Sequence, residues 1–232
     1  MAKTVLILGA GPGSGLAVAR RLAGEGYQVA LVARRKDKLD DLVAGLQASG
    51  VTAAGFAHDL TDLPALAGVV DSVVAQFGPI DTLVFAPSAE HWAIPATELT
   101  AEVTRDFADL FLYPLIEATR LVLPAMLERG AGQIVYINGG QAIEAPAGMS
   151  GPAPAMSAAR NYLGTLRQEV AERGVVVSAV FVTALIEQSA AAEAAAAWDP
   201  DNEHPRVSST VIADAVWAFH DRSAGGFEVV VP

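Results

Sequence analysis

TVLILGAGPGSGLAVARRLAGEG, residues 4 to 26, decides the fold. Its first five residues, a threonine and four aliphatics, show no polar alternation, as in a strand covered on both faces. Gly9, Gly13 and Gly15 follow at G-x-x-x-G-x-G spacing, and then a 3.6-period apolar pattern runs to a glycine stop. A glycine turn between strand and helix permits positive φ and lets a diphosphate approach the backbone. The helix beginning near Ser14 points free N–H groups and its positive dipole end at that charge. A plain flexible turn is the alternative reading.

The same unit repeats outward along the chain. TVLIL (4–8), QVALVA (28–33), TAAGFA (52–57), TLVFA (82–86), QIVYI (133–137), VVVSAVFV (175–182) and FEVVV (227–231) are seven candidate strands. SGLAVARRLAGEG, KDKLDDLVAGLQASG and LPALAGVVDSVVAQFG are crossover helices that end at glycine. The pattern predicts an α/β, three-layer, doubly wound Rossmann fold: a parallel sheet of about seven strands flanked by helices, forming one domain over 1–232. A long helical region over 101–127 is expected to bend near Pro114. Residues 184–205 read as an alanine-rich helix or a substrate-side flap. Pro152 and Pro154 open a further helix whose buried face runs through Met156, Ala159, Leu163, Leu166 and Val170.

Composition narrows the chemistry. A net charge of −11 over 232 residues argues against nucleic acid, which is bound through clustered Lys and Arg. The absence of cysteine removes thiolate chemistry and suits a reducing compartment, so a cytoplasmic location is expected. The opening apolar run is too short for a signal peptide or a membrane span, and no membrane partner is expected. His58, His91, His204 and His220 show no metal-ligand spacing, and no G-x-S-x-G elbow precedes a hydrolase triad.

The second strand ends at Ala33 and is followed by Arg34 and Arg35. A carboxylate here would bind ribose hydroxyls, whereas cations suit a 2′-phosphate, so NADP(H) is favoured over NAD(H). Two solvated arginines at a helix start are the alternative. In HDL (58–60), Asp59 is positioned either to bond an adenine amine or, like Thr61, to cap a helix.

With these residues in hand, the chain resembles the short-chain dehydrogenase/reductase family over nearly its whole length. The glycine spacing, VALVARR, HDL, DTLV, LPAM, GQIVYI and EVAERGVVVSAV match its landmarks in order. The resemblance implies NAD(P)-dependent redox of a small carbonyl or alcohol, and a homodimer or homotetramer formed through the two long helices. It also implies dinucleotide contacts at Gly9, Gly13, Ser14, Gly15, Leu16, Arg34, Arg35, Asp59, Leu60 and Ala86. The family's Asn-Asn-Ala-Gly after the fourth strand is Phe85, Ala86, Pro87 and Ser88 in this chain. Counting from the same anchors puts the helix asparagine on Phe111, the serine on Gly139, and the Tyr-x-x-x-Lys pair on Pro152 and Met156. All four catalytic positions are vacant, and the only lysines are Lys3, Lys36 and Lys38.

Substitutes for the proton donor are Tyr136 and Asn138 on the fifth strand and Glu90 and His91 after the fourth. Glu144, Arg160 and Tyr162 are further candidates. Strand alternation puts Tyr136 on the same face as Asn138. A buried structural tyrosine and a solvated loop histidine are the competing readings. Three functions therefore remain open: an NADP-dependent oxidoreductase with an unusual proton route, a non-catalytic NADP(H)- or ligand-binding module, or a structural partner subunit.

Overall fold

A computed structural model describes residues 2–89, 92–195, 197, 199–221 and 225–232. Along the chain, the first half runs β1 (Thr4–Leu8), α1 (Ser14–Gly24), β2 (Gln28–Ala33), α2 (Lys36–Ala48), β3 (Ala53–Ala57), α3 (Leu63–Phe77) and β4 (Ile80–Phe85). The second half continues with α4 (Ala101–Phe111), α5 (Tyr113–Arg129), β5 (Gly132–Gly139), a 3-10 turn at Gly140–Ala142, α6 (Ala153–Val170) and β6 (Val175–Val182). It ends with β7 (Leu185–Ile186), α7 (Ala190–Ala195), β8 (Arg206–Val207), α8 (Ser209–His220) and β9 (Glu228–Val231).

Seven strands form one sheet in the order β3-β2-β1-β4-β5-β6-β9. Each of its pairings is parallel. Chain direction across the sheet reverses between β1 and β4, which makes their C-terminal ends the crevice for a ligand. Alternation along β1 supplies both cores: Leu6 and Leu8 pack with α3, α5 and α6, whereas Val5 and Ile7 pack with α1 and α8. The result is the three-layer sandwich expected from the sequence.

The helical run from 101 divides at Leu112, two residues before the proline named in the sequence. Pro114 lies in the first turn of α5, where its missing N–H costs no helical bond. By length and composition, Ala101–Arg129 is apolar enough to cross a membrane. Here it is split into two helices, and Leu115, Ala118, Val122 and Met126 of α5 are buried in the core.

Three features go beyond the sequence pattern. The segment 184–205 is neither one long helix nor a bare loop: α7 is short, and β7 and β8 pair in parallel through two residues each. Helix α8 buries Ile212, Ala213, Val216 and Phe219. Asp199 clasps the flap, its buried carboxylate accepting from the backbone N–H of Glu203 at 2.8 Å and from Arg206 Nη2 at 3.1 Å. Burial raises its pKa, but the backbone N–H groups of Glu203 and His204 together with the His204 side chain lower it below its ordinary value. Asp199→Ala is expected to speed limited proteolysis within 184–205; digestion at the wild-type rate would show that the clasp holds nothing.

Candidate functional site

The glycine loop is held in place from two directions. Gly9 N–H and Ala10 N–H both donate to Val32 O, at 3.1 and 2.9 Å, and Gly9 has φ +83°. A Cβ at Gly9 would lie 2.5 Å from Pro87 N and 2.8 Å from the Ala86 carbonyl carbon. The loop therefore presses against the chain leaving β4, where Ala86 N–H donates to Leu8 O at 2.9 Å. Nothing lies within 4 Å of a Cβ built at Gly11.

Ser14 and Gly15 open α1, so their N–H groups have no intrahelical acceptor. Leu16 N–H is taken by Gly11 O at 2.9 Å. On the far side the flap closes in: a Cβ at Gly13 would lie 3.0 Å from Ser189 Cβ and 3.4 Å from Ile186 Cγ2. This cradle of open amides at a helix start fits an anionic diphosphate.

At the neighbouring strand ends, Arg34 and Arg35 are exposed and Leu60 belongs to the core. Asp59 is exposed and forms a short turn, its Oδ1 accepting from Thr61 N–H at 3.0 Å and Thr61 Oγ1 at 2.9 Å. The Thr61 backbone N–H, with the Arg34 charge adding to it, lowers the Asp59 pKa. The helix cap falls to Asp62, which accepts from Ala65 N–H at 3.4 Å, so neither Asp59 nor Thr61 is the cap considered from sequence. His58 is buried, and its Nε2 has no hydrogen-bond partner among the described residues.

The end of β5 and the mouth of α6 form the other wall. Tyr136 is fully buried, stacked on Phe85 at 6.2 Å and edge-on to Phe181 at 6.1 Å between ring centres. Asn138 Nδ2 donates to Tyr136 Oη at 2.9 Å, while Asn138 Oδ1 accepts from Gly139 N–H at 2.9 Å. Burial raises the Tyr136 pKa far above its ordinary value, so this phenol keeps its proton at neutral pH. The two residues do share a face, but they bond to each other inside the core. His91 and Glu90 lie outside the described residues.

Phe111 is fully buried against Phe107 at the end of α4. Pro152 caps α6 and Met156 sits in the core. The chain after β4 overlies this mouth: Ser150 N–H donates to Ile94 O at 2.8 Å, and a Cβ at Gly151 would meet Trp92 O at 2.7 Å. Glu144 is exposed, Arg160 is tied to Glu228 through bonds of 2.7 and 2.6 Å, and burial raises the Tyr162 pKa.

The sequence reading passed over Gln141, whose carboxamide folds back over Gly139 and occupies the side-chain space there. A glutamine two residues beyond a strand carries no motif that would have singled it out.

No group of three or more His, Asp or Glu among the described residues could hold a metal ion. Two surface hollows, of about 230 Å³ beside Arg160 and Phe227 and about 500 Å³ beside Tyr27 and Gly50, share no lining residue with the glycine loop or the β5–α6 wall. Sheet topology places the crevice at the C-terminal ends of β1 and β4.

Known proteins match this arrangement. Residues 3–197 match the family model described as short chain dehydrogenase. A putative ketoacyl reductase of Streptomyces coelicolor is 34% identical over 185 residues, covering 77% of this chain and 69% of its own length. Glycine betaine reductase ATRR of Emericella nidulans is 33% identical over 178 residues, which is 77% of this chain but only 14% of that protein. Among solved structures, a variant of actinorhodin polyketide ketoreductase with NADPH has a TM-score of 0.87 at 26% identity, covering 99% of this chain and 95% of the other. A short-chain dehydrogenase from Streptomyces avermitilis has a TM-score of 0.84 at 28% identity, covering 100% and 89%. A family match over most of the chain, on a seven-stranded sheet carrying the glycine loop at its switch point, means that this chain belongs to the short-chain dehydrogenase/reductase family.

Proposed function

We propose that the protein is an NADP(H)-binding oxidoreductase for a small carbonyl or alcohol substrate that works without the family's Asn-Ser-Tyr-Lys set. The observation that carries this reading is Gly9: its positive φ and the lack of room for a Cβ bring the loop against the chain after β4, beneath the open amides of α1. Gly13, Ser14 and Gly15 N–H groups would hold the diphosphate, and Arg34 and Arg35 the 2′-phosphate. Asp59, with one carboxylate oxygen engaged by Thr61, keeps the other for an adenine amine. The related ketoreductase solved with NADPH supports NADP over NAD. Reduced nicotinamide supplies hydride when bound.

Phe111, Gly139, Pro152 and Met156 carry no group that can deliver a proton, and the Tyr136 phenol is locked in the core. Proton supply then falls to a residue outside the family set, or to water and the substrate. The same residues favour a second reading, a non-catalytic NADP(H)- or ligand-binding module or structural partner subunit. In either case self-association as a homodimer or homotetramer would use the long helices α5 and α6, and the cytoplasm is the expected compartment.

Titrating NADPH and NADH against wild type and Arg34→Ala tests the cofactor half. Wild type is expected to bind NADPH about tenfold more tightly than NADH, and Arg34→Ala to lose that margin by weakening NADPH alone. Equal affinities in wild type, or no binding of either, would overturn the reading. Oxidation of NADPH with any of a panel of aldehydes, ketones, imines and activated alkenes favours the enzyme; none across the panel favours the binding module.

A further inference from the structure

Two side-chain amides stand at the C-terminal end of β5, and they differ in what they have left to offer. Asn138 is engaged at both ends, its Nδ2 by Tyr136 Oη and its Oδ1 by Gly139 N–H. Gln141 has no hydrogen-bond partner for its carboxamide among the described residues. A Cβ placed on Gly139 would run into its Oε1, with Cδ at 3.2 Å and Nε2 at 3.7 Å. Its backbone is held on both sides: Ile143 N–H donates to Gly140 O at 2.9 Å, and Ser157 Oγ donates to Ala142 O at 3.0 Å, tying the turn to α6. Gly140 is pressed on the chain just past β6, where a Cβ would lie 2.5 Å from Thr183 Cγ2. Gln141 is thus a partly exposed neutral donor on a fixed turn, at the C-terminal end of the sheet, where doubly wound folds bind ligands.

We infer that Gln141 binds the carbonyl oxygen of the substrate: with its carboxamide oxygen seated in the space left open by glycine at position 139, its Nε2 points away from Gly139 and donates an N–H to that oxygen. This rests on the carbonyl-substrate reading above. Because a carboxamide does not titrate near neutrality, the bond orients and polarises the carbonyl without transferring a proton.

The placement is tested by thermal denaturation. Gly139→Ser is expected to lower Tm in the wild-type background and to do so far less alongside Gln141→Ala; equal losses in both backgrounds would overturn the inference. The binding role is tested with protein saturated in NADP⁺, which cannot reduce the probe, and acetoacetyl-N-acetylcysteamine carrying an isotope-labelled ketone. Gln141→Ala and Gln141→Leu are expected to weaken probe binding about tenfold and to shift the labelled carbonyl stretch to higher wavenumber, with Gln141→Asn retaining part of both. Unchanged affinity and stretch would make Gln141 a space-filler and overturn the inference alone. So would a wild type that binds NADPH but not the probe, whereas one that binds no NADPH overturns the underlying functional reading as well.

Discussion

Gly9→Ala is expected to lower stability by about 3 kcal/mol, combining about 1–2 kcal/mol for a left-handed non-glycine residue with about 1–3 kcal/mol for the forced overlap. The overlap is with backbone, since Pro87 N would stand 2.5 Å and Ala86 C 2.8 Å from the added methyl. No rotamer change relieves it. Either β1 and β4 part at their C-terminal ends, or the two bonds from Gly9 and Ala10 to Val32 O break. At this chain length the fall in Tm should be about 6–12 °C. NADPH binding should be lost with it, because the amides of Gly13 to Gly15 move with the loop. Gly11→Ala is the control: with nothing within 4 Å of its Cβ, it should stay within about 0.5 kcal/mol of wild type. A Gly9→Ala protein with wild-type Tm and NADPH affinity would show that the close approach to Pro87 constrains neither.

The second large effect lies far from the crevice, at the end of α8. His220 Nδ1 sits 3.1 Å from Gln133 Oε1, and its Nε2 sits 3.2 Å from Tyr27 Oη. Gln133 Nε2 donates to Val216 O at 3.4 Å, which turns the amide oxygen toward the imidazole. The network therefore assigns the neutral tautomer with its proton on Nδ1, donating to Gln133, while Tyr27 O–H donates to Nε2.

Tyr27 and Gln133 are buried, so removing the ring takes the imidazole from Tyr27 Oη and leaves Gln133 Oε1 without its donor. His220→Ala should cost about 2–3 kcal/mol, or about 5–10 °C in Tm. Burial holds the His220 pKa below its ordinary value, and Lys3 lowers it further; Asp221, Glu25 and Asp81 pull the other way. A folded-state pKa below the unfolded value of about 6.5 means that the unfolded chain takes up the proton first. This part of the stability is present above about pH 6.5 and is lost as pH falls toward and through the folded value. Urea midpoints between pH 7.5 and 5 should drop more steeply for wild type than for His220→Ala; parallel slopes would remove His220 as the cause.

Some of this molecule was legible in the linear sequence because the signals are local. An apolar run such as VVVSAVFV reports a strand covered on both faces, and the spacing of Met156, Ala159, Leu163, Leu166 and Val170 reports one buried helix stripe, all of which the structure contains. Glycine spacing after β1 reports a turn leading into a helix.

What the sequence left open depends on residues far apart meeting. Alternation put Tyr136 and Asn138 on one face, yet only the packing of Phe85 and Phe181 made that face the core and closed the two polar groups on each other. HDL allowed Asp59 either a ligand or a cap, and the start of α3 at Leu63 gave the cap to Asp62. The clasp at Asp199 and the seat of Gln141 over Gly139 have no periodicity to announce them. Period and spacing record which side of an element is buried; which neighbour a side chain meets there is set when sheet and helices close together.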